Sequence, residues 1–573
     1  MTIFPDEQTD MCSDKTSSEH FDYIIIGAGS AGSVLANRLS AEPVSANAVS
    51  ESKAKILVLE AGPVDKNPLI KIPGAFAYFM YSKKYNWAYE AETVADIRGG
   101  EPLFCPRGKT LGGSSAVNAM VYIRGHSSDY DAWEQQGNEG WGFQAMLPYF
   151  ISSETNVRGA NEYHGDAGPL FVSDVINDYP LNDRFIEASG QAGFPLSQDF
   201  NGQQFEGAGY FQFTIQNGER CGVSTAYLKP AMLRDNLVVE CEAFVNRILF
   251  DGKAAVGVEY EQGGEAFSVY AKQEIILSSG SFNSPQLLML SGIGDQKELQ
   301  QHGIKLVHDL PGVGKNLQEH VDACVLVKSQ KKDGFSVGPH GLMKMLPDVA
   351  KYMKSKTGKL ANSITQAGGF LKSNPDVEVP DIQLHFVPLL FDDCGRDLKL
   401  LSRHGYSLHV CVLRPKSRGA LSLKSANPRE AIKIDFNFFS DPADAKVLVD
   451  GIRVARKILA SEAFDEYRGE EIHPGEQVES DEDLLQKCKE RLGLVYHPTG
   501  TCKMGSDSMA VVDSELKVQG IQNLRVVDAS IMPTLVSGNT NAPVIAIAEK
   551  AAEMILKSNV NKGRVTENLE CAE

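Results

Sequence analysis

Apolar residues crowd first into Phe21-Asp-Tyr-Ile-Ile-Ile26, a short run rich in β-branched side chains that predicts a buried strand. Gly27, Gly29 and Gly32 follow at once, and Ser33–Ser40 has helical character. After a loop at 41–53 that reads as an insertion, Lys55-Ile-Leu-Val-Leu-Glu60 predicts a second buried strand ending in an acid. Further on, Gly209–Gln216 alternates as a strand, while Asn236–Phe250 and Ala254–Tyr260 predict a strand hairpin. Glu274–Gly280 is another buried strand running into glycine, and Ser284–Gly292 a helix with Pro near its first turn and Gly at its end. Strands at Asp381–Val387, Tyr406–Val412 and Ala420–Leu423 alternate with helices at Ala445–Leu459 and Asp481–Leu492. Leu524-Arg-Val-Val-Asp528-Ala-Ser predicts a strand ending in Asp, and Ala542–Leu556 a closing helix.

Strand, glycine turn, helix and second strand in that order make a dinucleotide fingerprint. Gly27 permits the tight turn, Gly29 lets a pyrophosphate approach, and Gly32 lets helix and strand pack closely. The helix N-terminus offers unpaired N–H groups to phosphate, and Glu60 is placed for an adenosine ribose. The paired glycines and serines of Gly108-Lys-Thr-Leu-Gly-Gly113-Ser-Ser make poor helix and poor strand, but a good surface for close approach to a planar or phosphorylated ligand. The aromatic stretch from Phe76 to Tyr89 reads as a loop packed by its own rings, with a lid over a cofactor as the sharper alternative.

With 573 residues the chain is long enough for two cores, and its 42% hydrophobic and 23% charged residues are those of a globular protein. A net charge of −18 argues against nucleic acid and against an anionic membrane as partner. Ten cysteines without a C-x-x-C pair suggest a reducing compartment, and the histidines show no metal-binding spacing, so no metal is expected. The polar first twenty residues and the lack of a long apolar run predict neither secretory signal nor transmembrane segment. A cytoplasmic location is therefore expected, with a peripheral place at the inner membrane as the alternative.

The stretches Gly108-Lys-Thr-Leu-Gly-Gly-Ser-Ser-Ala-Val-Asn118 and Gly280-Ser-Phe-Asn-Ser-Pro-Gln-Leu-Leu-Met-Leu-Ser-Gly-Ile-Gly294 resemble the two signatures of the glucose–methanol–choline (GMC) oxidoreductases, and the resemblance runs from Phe21 to Leu556. It implies FAD as the dinucleotide, in an α/β FAD-binding Rossmann-like domain interleaved with an α+β substrate-binding domain whose antiparallel sheet is backed by helices. The expected FAD-binding segments are 20–155, 225–325 and 500–560. The substrate segments are 156–224 and 326–499, with 1–19 and 561–573 as flexible termini. Ser30 and Ala31 should meet the pyrophosphate, Glu60 with Ala61 the adenosine ribose, and Val245 the adenine. Asn118, Ala119, Met120 and Val121 should line the flavin, with Gly113 and Gly280 of the signatures beside the cofactor. Asp528 and Ala529 should hold the ribityl-phosphate side, and Tyr496, Thr540 and Asn541 should close the isoalloxazine site. Members with covalent flavin carry histidine just before the signature asparagine; Val117 stands there, so the FAD is expected to be non-covalent.

By itself His497, in Tyr-His-Pro-Thr-Gly, reads as a structural loop histidine; its family position is that of the catalytic base. An alcohol needs its hydroxyl proton removed as hydride leaves its carbon, which suits a base near neutrality. Counting back from the closing helix places Asn539, not Asn541, on the second catalytic position. An amide holds an oxygen but takes no proton, which leaves His497 as base. The resemblance implies an FAD-dependent dehydrogenase converting a small primary alcohol to an aldehyde, with a quinone, dioxygen or another carrier as acceptor. A photodecarboxylase, an FAD-containing lyase and a non-catalytic flavin-binding protein are the other readings. Cys502 reads as a reactive thiol or, better, a small buried residue.

Overall fold

The computed structural model describes residues 20–41, 53–176, 178–331, 334–392 and 395–570. The expected N-terminal tail 1–19 and most of the inserted loop 41–53 lie outside the described residues. So do residues 571–573 of the expected C-terminal tail.

Two seven-stranded sheets organise the chain. In the first, the order is Leu237–Cys241, Ile56–Glu60, His20–Ile26, Glu265–Leu277, Ala254–Gln262 and Phe244–Asp251, with Leu524–Val526 also on Glu265–Leu277. Ile24, Ile25 and Ile26 pair in parallel with Ile275, Ile276 and Leu277, and all are buried on both faces, as parallel strands between helices must be. The helix Ser30–Ser40 packs against the closing helix Asn541–Glu570. The Arg38 guanidinium donates to both Glu549 carboxylate oxygens at 2.7 and 2.8 Å, and the Tyr227 hydroxyl to one of them at 2.9 Å. Across their N-termini, the Ser30 hydroxyl donates to Asn541 Oδ1 at 2.7 Å, so both helices open at one place.

The second sheet runs Arg468–His473, Val321–Ser329, Gly405–Val412, Ile382–Val387, Ala367–Leu371 and Gly207–Tyr210, with Gly493–Leu494 on Val321–Ser329. Its described pairings are antiparallel, and the amphipathic helix Pro442–Leu459 packs on Gly405–Val412. Val321–Ser329 lies whole in this sheet and straddles the expected boundary at 325.

Several elements depart from the expectations in instructive ways. Asn236–Phe250 is two strands, because the chain leaves the parallel sheet at Glu242, in the left-handed region at φ 56°. The Glu242 and Ala243 N–H groups then bond Gly62 and Glu60 carbonyls, and the hairpin forms from Phe244 onward. Gly209–Gln216 is split among Gly207–Tyr210, Gln212–Phe213 and Ile215–Gln216, which pair in different sheets. The signature helix spans Gly280–Leu290, starting a turn earlier than Pro285 suggests. Pro285 cannot donate to the Ser281 carbonyl four residues back; the Thr501 hydroxyl donates there instead, at 2.6 Å. After Leu524–Val526 the chain turns into a short helix at Ala529–Ile531, so Asp528 stands beyond the strand as its cap. The closing helix continues past Leu556 to Glu570.

Candidate active site

One continuous cavity runs from Glu60 to His497. Every site residue expected from the sequence lines it except Gly32. Gly32 instead packs helix on strand: a Cβ there would sit 1.9 Å from the Gly27 carbonyl oxygen. At the adenosine end, the Glu60 carboxylate accepts the Ala28 N–H at 2.9 Å and the Gly62 N–H at 2.8 Å. Burial pushes it up to about 7, against the pull of those two N–H groups. Ala61 adjoins it, and Val245 reaches the same cavity from the hairpin.

The phosphate region is built from glycine backbones and helix ends. Gly27 stands at φ 100°, and a Cβ there would meet the Ser278 oxygen at 2.6 Å. A Cβ at Gly113, itself at φ 52°, would lie 2.8 Å from the Gly29 Cα. This close approach is why the signature needs its second glycine. The Ser115 hydroxyl donates to the Gly112 carbonyl at 2.7 Å and accepts the Val223 N–H at 3.2 Å; the Gly108 N–H donates to the Ser114 hydroxyl at 3.1 Å. Asp528 accepts the Gly280 N–H at 2.9 Å, the Ser284 hydroxyl at 2.6 Å and the Ser530 N–H at 2.8 Å. Burial raises its carboxyl above the usual range, with those donors pulling the other way.

The residues fit a dinucleotide on two observations. Ser278 lines this cavity, and its buried hydroxyl has no partner among the described residues. At Gly280 the position a Cβ would take meets no neighbouring atom within 4 Å, and at Gly29 it meets only the Ser278 carbonyl oxygen, at 4.0 Å. Ser30, Ala31, Thr540 and Asn541 add the two helix N-termini, a natural anion site.

At the far end, Asn118 Oδ1 accepts from Arg220 Nη1 at 2.7 Å and from the Met120 N–H at 3.1 Å, fixing the run through Ala119 to Val121. Met120 and Tyr496 both stand in the left-handed region, at φ 65° and 68°. Non-glycine residues rarely sit there, and such strain gathers where a site demands a particular backbone. Phe76, Met80 and Trp87 wall the cavity, whereas Phe79 and Tyr85 pack edge to face, their centroids 5.7 Å apart. The aromatic stretch is thus partly its own core and partly a cavity wall.

His497 is buried, and its two ring nitrogens have separate partners. Nδ1 lies 3.0 Å from His320 Nδ1, and Nε2 lies 3.2 Å from Asn539 Nδ2. His320 Nε2 is 3.1 Å from the Leu413 carbonyl, which only accepts, so that nitrogen carries the proton. Burial pushes His320 down to about 4, leaving it neutral with a lone pair on Nδ1. His497 Nδ1 must then donate, and its Nε2 presents a lone pair to the cavity. Asn539 Oδ1 accepts from Gln383 Nε2 at 3.3 Å, which turns the Asn539 amide N–H toward His497. His497 is held well below its ordinary value, by burial first and then by His320, His385 and Arg107.

Supporting residues escaped the sequence reading. One oxygen of Glu319 accepts the backbone N–H of His497 at 2.7 Å and of His320 at 2.9 Å. Arg107 donates to the Tyr496 carbonyl at 2.7 Å, and its charge is what restrains the buried Glu319 carboxyl, which burial lifts to about 8. His385, pushed down to about 3 by burial, stands behind with Cys411 Sγ 3.5 Å from its Nδ1. The signal available was Gln318-Glu-His320, a polar triplet just ahead of the strand Val321–Ser329. Cys502 is fully buried, with burial raising its thiol well above the ordinary value, as a packing residue should be.

A dinucleotide cradle ending at a histidine–amide pair is an arrangement that suits a cofactor-dependent oxidoreductase. The GMC oxidoreductase family profiles match residues 21–322 and 415–548. The chain belongs to the GMC oxidoreductase family and is an FAD-dependent enzyme acting on CH–OH groups. It is 45% identical to the alcohol dehydrogenase [acceptor] of Pseudomonas putida, over 94% of this chain and 96% of that one. It is 44% identical to the oxygen-dependent choline dehydrogenase of Vibrio vulnificus, over 94% of each. Among solved structures, pyridoxine 4-oxidase from Mesorbium loti superposes with a TM-score of 0.83 at 29% identity, covering 93% of this chain and 98% of that one. A formate oxidase structure superposes with a TM-score of 0.84 at 28% identity, covering 95% and 99%.

Proposed function

We propose that the protein oxidises an uncharged primary alcohol to the aldehyde, with His497 as the base and Asn539 holding the oxygen. The observation that carries this reading is the hydrogen-bond chain from the Leu413 carbonyl through His320, which leaves His497 Nε2 unprotonated beside the Asn539 amide. An alcohol hydroxyl between them donates to His497 Nε2 and accepts from Asn539 Nδ2. The neutral histidine takes the proton as the alcohol carbon is oxidised. FAD supplies, when bound, the acceptor for the hydride. Glu60, Ser30, Ala31, Asp528 and Ala529 would hold its adenosine and phosphate parts, and Asn118–Val121 with Tyr496 its ring system. With Val117 before Asn118 there is no histidine to form a ring attachment, and we take the FAD to be non-covalent.

The electrostatics favour an uncharged substrate over a quaternary ammonium alcohol. The carboxylates lining the cavity are Glu60, at the adenosine end, and Asp528, already accepting three hydrogen bonds. Asp322, in the adjoining sheet, is bonded to His409 at 2.7 Å. The cavity walls also include the apolar Phe391, Val495 and Phe76, and Arg107, whose charge acts on His497, adds positive charge. A buried cation would lack a counter-charge there. A quinone or another membrane-borne carrier is the acceptor we favour over dioxygen.

The test is anaerobic mixing of the purified holoenzyme with uncharged primary alcohols and, separately, choline. Bleaching of the flavin by the former, at least tenfold faster than by choline, is expected. No bleaching by any alcohol would leave the lyase or the inert flavin-binding reading standing; faster bleaching by choline would overturn the uncharged-substrate assignment.

A further inference from the structure

The helix Pro339–Ser355 departs from an ordinary surface helix on its outward side. Gly341 and Tyr352 are buried, and a Cβ at Gly341 would meet the Ser336 oxygen at 1.8 Å, which fixes the inward side. The outward side should then be polar. Instead it carries Met343 (72% exposed), Leu346 (68%), Val349 (41%) and Met353 (71%), spaced so that they share one arc of the helix.

The charge around this arc is also unusual for the chain. Residues 339–359 contain five lysines and a single acid, Asp348, in a protein of net charge −18. Lys344, Lys351 and Lys354 lie along one edge of the apolar arc. Lys356 and Lys359 follow it, with Glu219 at 3.3 Å and Asp348 at 3.9 Å. The turn Lys359–Ala361 packs on Pro73–Ala75, where Gly74 lies against Leu360. That segment leads directly into Phe76–Met80, whose Phe76 and Met80 wall the cavity while Tyr78 stands 51% exposed. Leu398, 66% exposed, begins a short helix that ends in Leu401, whose carbonyl accepts the Val337 N–H at the start of Pro339–Ser355.

We propose that this helix is a docking surface for an anionic lipid bilayer. An apolar arc bordered by lysines is what an interfacial helix needs: the apolar side chains enter the acyl boundary while the lysines meet anionic headgroups. Among the described residues no helix is long and apolar enough to cross a membrane, so the protein would lie on the surface. Docked this way, the Phe76–Met80 wall of the cavity faces the lipid, where apolar alcohols and lipophilic electron carriers concentrate. That consequence rests on the proposed function, but the docking itself does not. The overall negative charge, which argues against an anionic surface for the chain as a whole, is locally reversed here.

The experiment is flotation of the FAD-loaded protein with vesicles of phosphatidylcholine alone and of phosphatidylcholine with phosphatidylglycerol in equal parts. Wild type is expected to float with the anionic vesicles, and to be released by high salt. The double variant Leu346→Glu/Met353→Glu should lose at least tenfold in partitioning while keeping its flavin spectrum and its turnover of a soluble dye acceptor. Lys351→Glu/Lys354→Glu should lose binding to the anionic vesicles by several-fold. Wild type remaining at the bottom of both gradients would overturn the proposal, as would unchanged flotation of the leucine–methionine variant or equal binding to phosphatidylcholine alone. A wild-type dimer in vesicle-free buffer that the same variant splits would assign the face to a second copy of the chain, and would equally overturn it.

Discussion

The Nδ1 atoms of His497 and His320 lie 3.0 Å apart, and the proton between them belongs to His497. That assignment follows from the Leu413 carbonyl, which compels His320 to donate from its other nitrogen. A buried carbonyl, acting through His320 alone, thus selects which face of the His497 ring is basic.

If His497 removes the hydroxyl proton, His497→Ala should retain FAD but reduce it about 10²–10⁴-fold more slowly in a single anaerobic turnover. Asn539→Ala removes one hydrogen bond to the alcohol oxygen, worth about 1–3 kcal/mol. Its reduction rate should therefore fall by less. Asn541 Oδ1 already accepts from Ser30, so Asn541→Ala should disturb FAD content rather than the rate of the loaded enzyme. A reduction rate in His497→Ala near that of wild type would remove the base assignment.

His320 is a positioning residue, and a pH profile separates that role from mere packing. Because His497 is held well below its ordinary value, flavin reduction should stay flat from neutrality downward, with its acid limb well under pH 6.5. His320→Gln keeps an acceptor for His497 Nδ1–H and should keep most of the rate. His320→Ala removes the acceptor and one cause of the depressed value, so its acid limb should move toward pH 6.5 while the plateau falls. An unshifted limb in His320→Ala would mean that His320 does not govern the tautomer.

The cofactor predictions rest on backbone clearances. Gly113→Ala would put a methyl 2.8 Å from Gly29 Cα at a left-handed backbone, so the variant should purify with little flavin. Wild type precipitated with acid should release all its yellow colour into the supernatant; colour kept in the pellet would show a covalent flavin that Val117 does not explain.

How much of this was legible beforehand follows from the range of the interactions involved. Gly27, Gly29 and Gly32 work within one strand–turn–helix unit, so their spacing carries their roles. Asn539 could be placed because the helix after it fixes the count. Glu319, His320 and Arg107 could not, since their meaning depends on Val321–Ser329 arriving beside the loop at His497 from a distance of 178 residues in the chain. The strand Asn236–Phe250 broke at Glu242 because tertiary bonds to Glu60 and Gly62 turn the backbone, which no local propensity announces. The outward apolar arc of Pro339–Ser355 was equally hidden: amphipathic spacing says that a helix has two faces, not which one the protein covers.

The buried neutral state of His320 also has a consequence for stability. Its folded value, about 4, lies below the ordinary 6.5 because burial disfavours its charged form. Above pH 6.5 the ring is neutral whether the chain is folded or not, and contributes no pH dependence. As pH falls from 6.5 toward 4 the unfolded chain takes a proton that the folded one refuses, so stability is lost, by about 3 kcal/mol for this one group. Glu319 and Glu60, whose folded values are raised to about 8 and about 7, act in the opposite sense and would mask the effect in wild type alone. Both remain in His320→Gln, so they cancel in a comparison. Urea denaturation of the two proteins at several pH values should therefore show wild type losing stability relative to His320→Gln by about 3 kcal/mol between pH 6.5 and 4. A difference that stays constant across that range would mean His320 is charged in the fold, and the proton between the two histidines would then lie the other way.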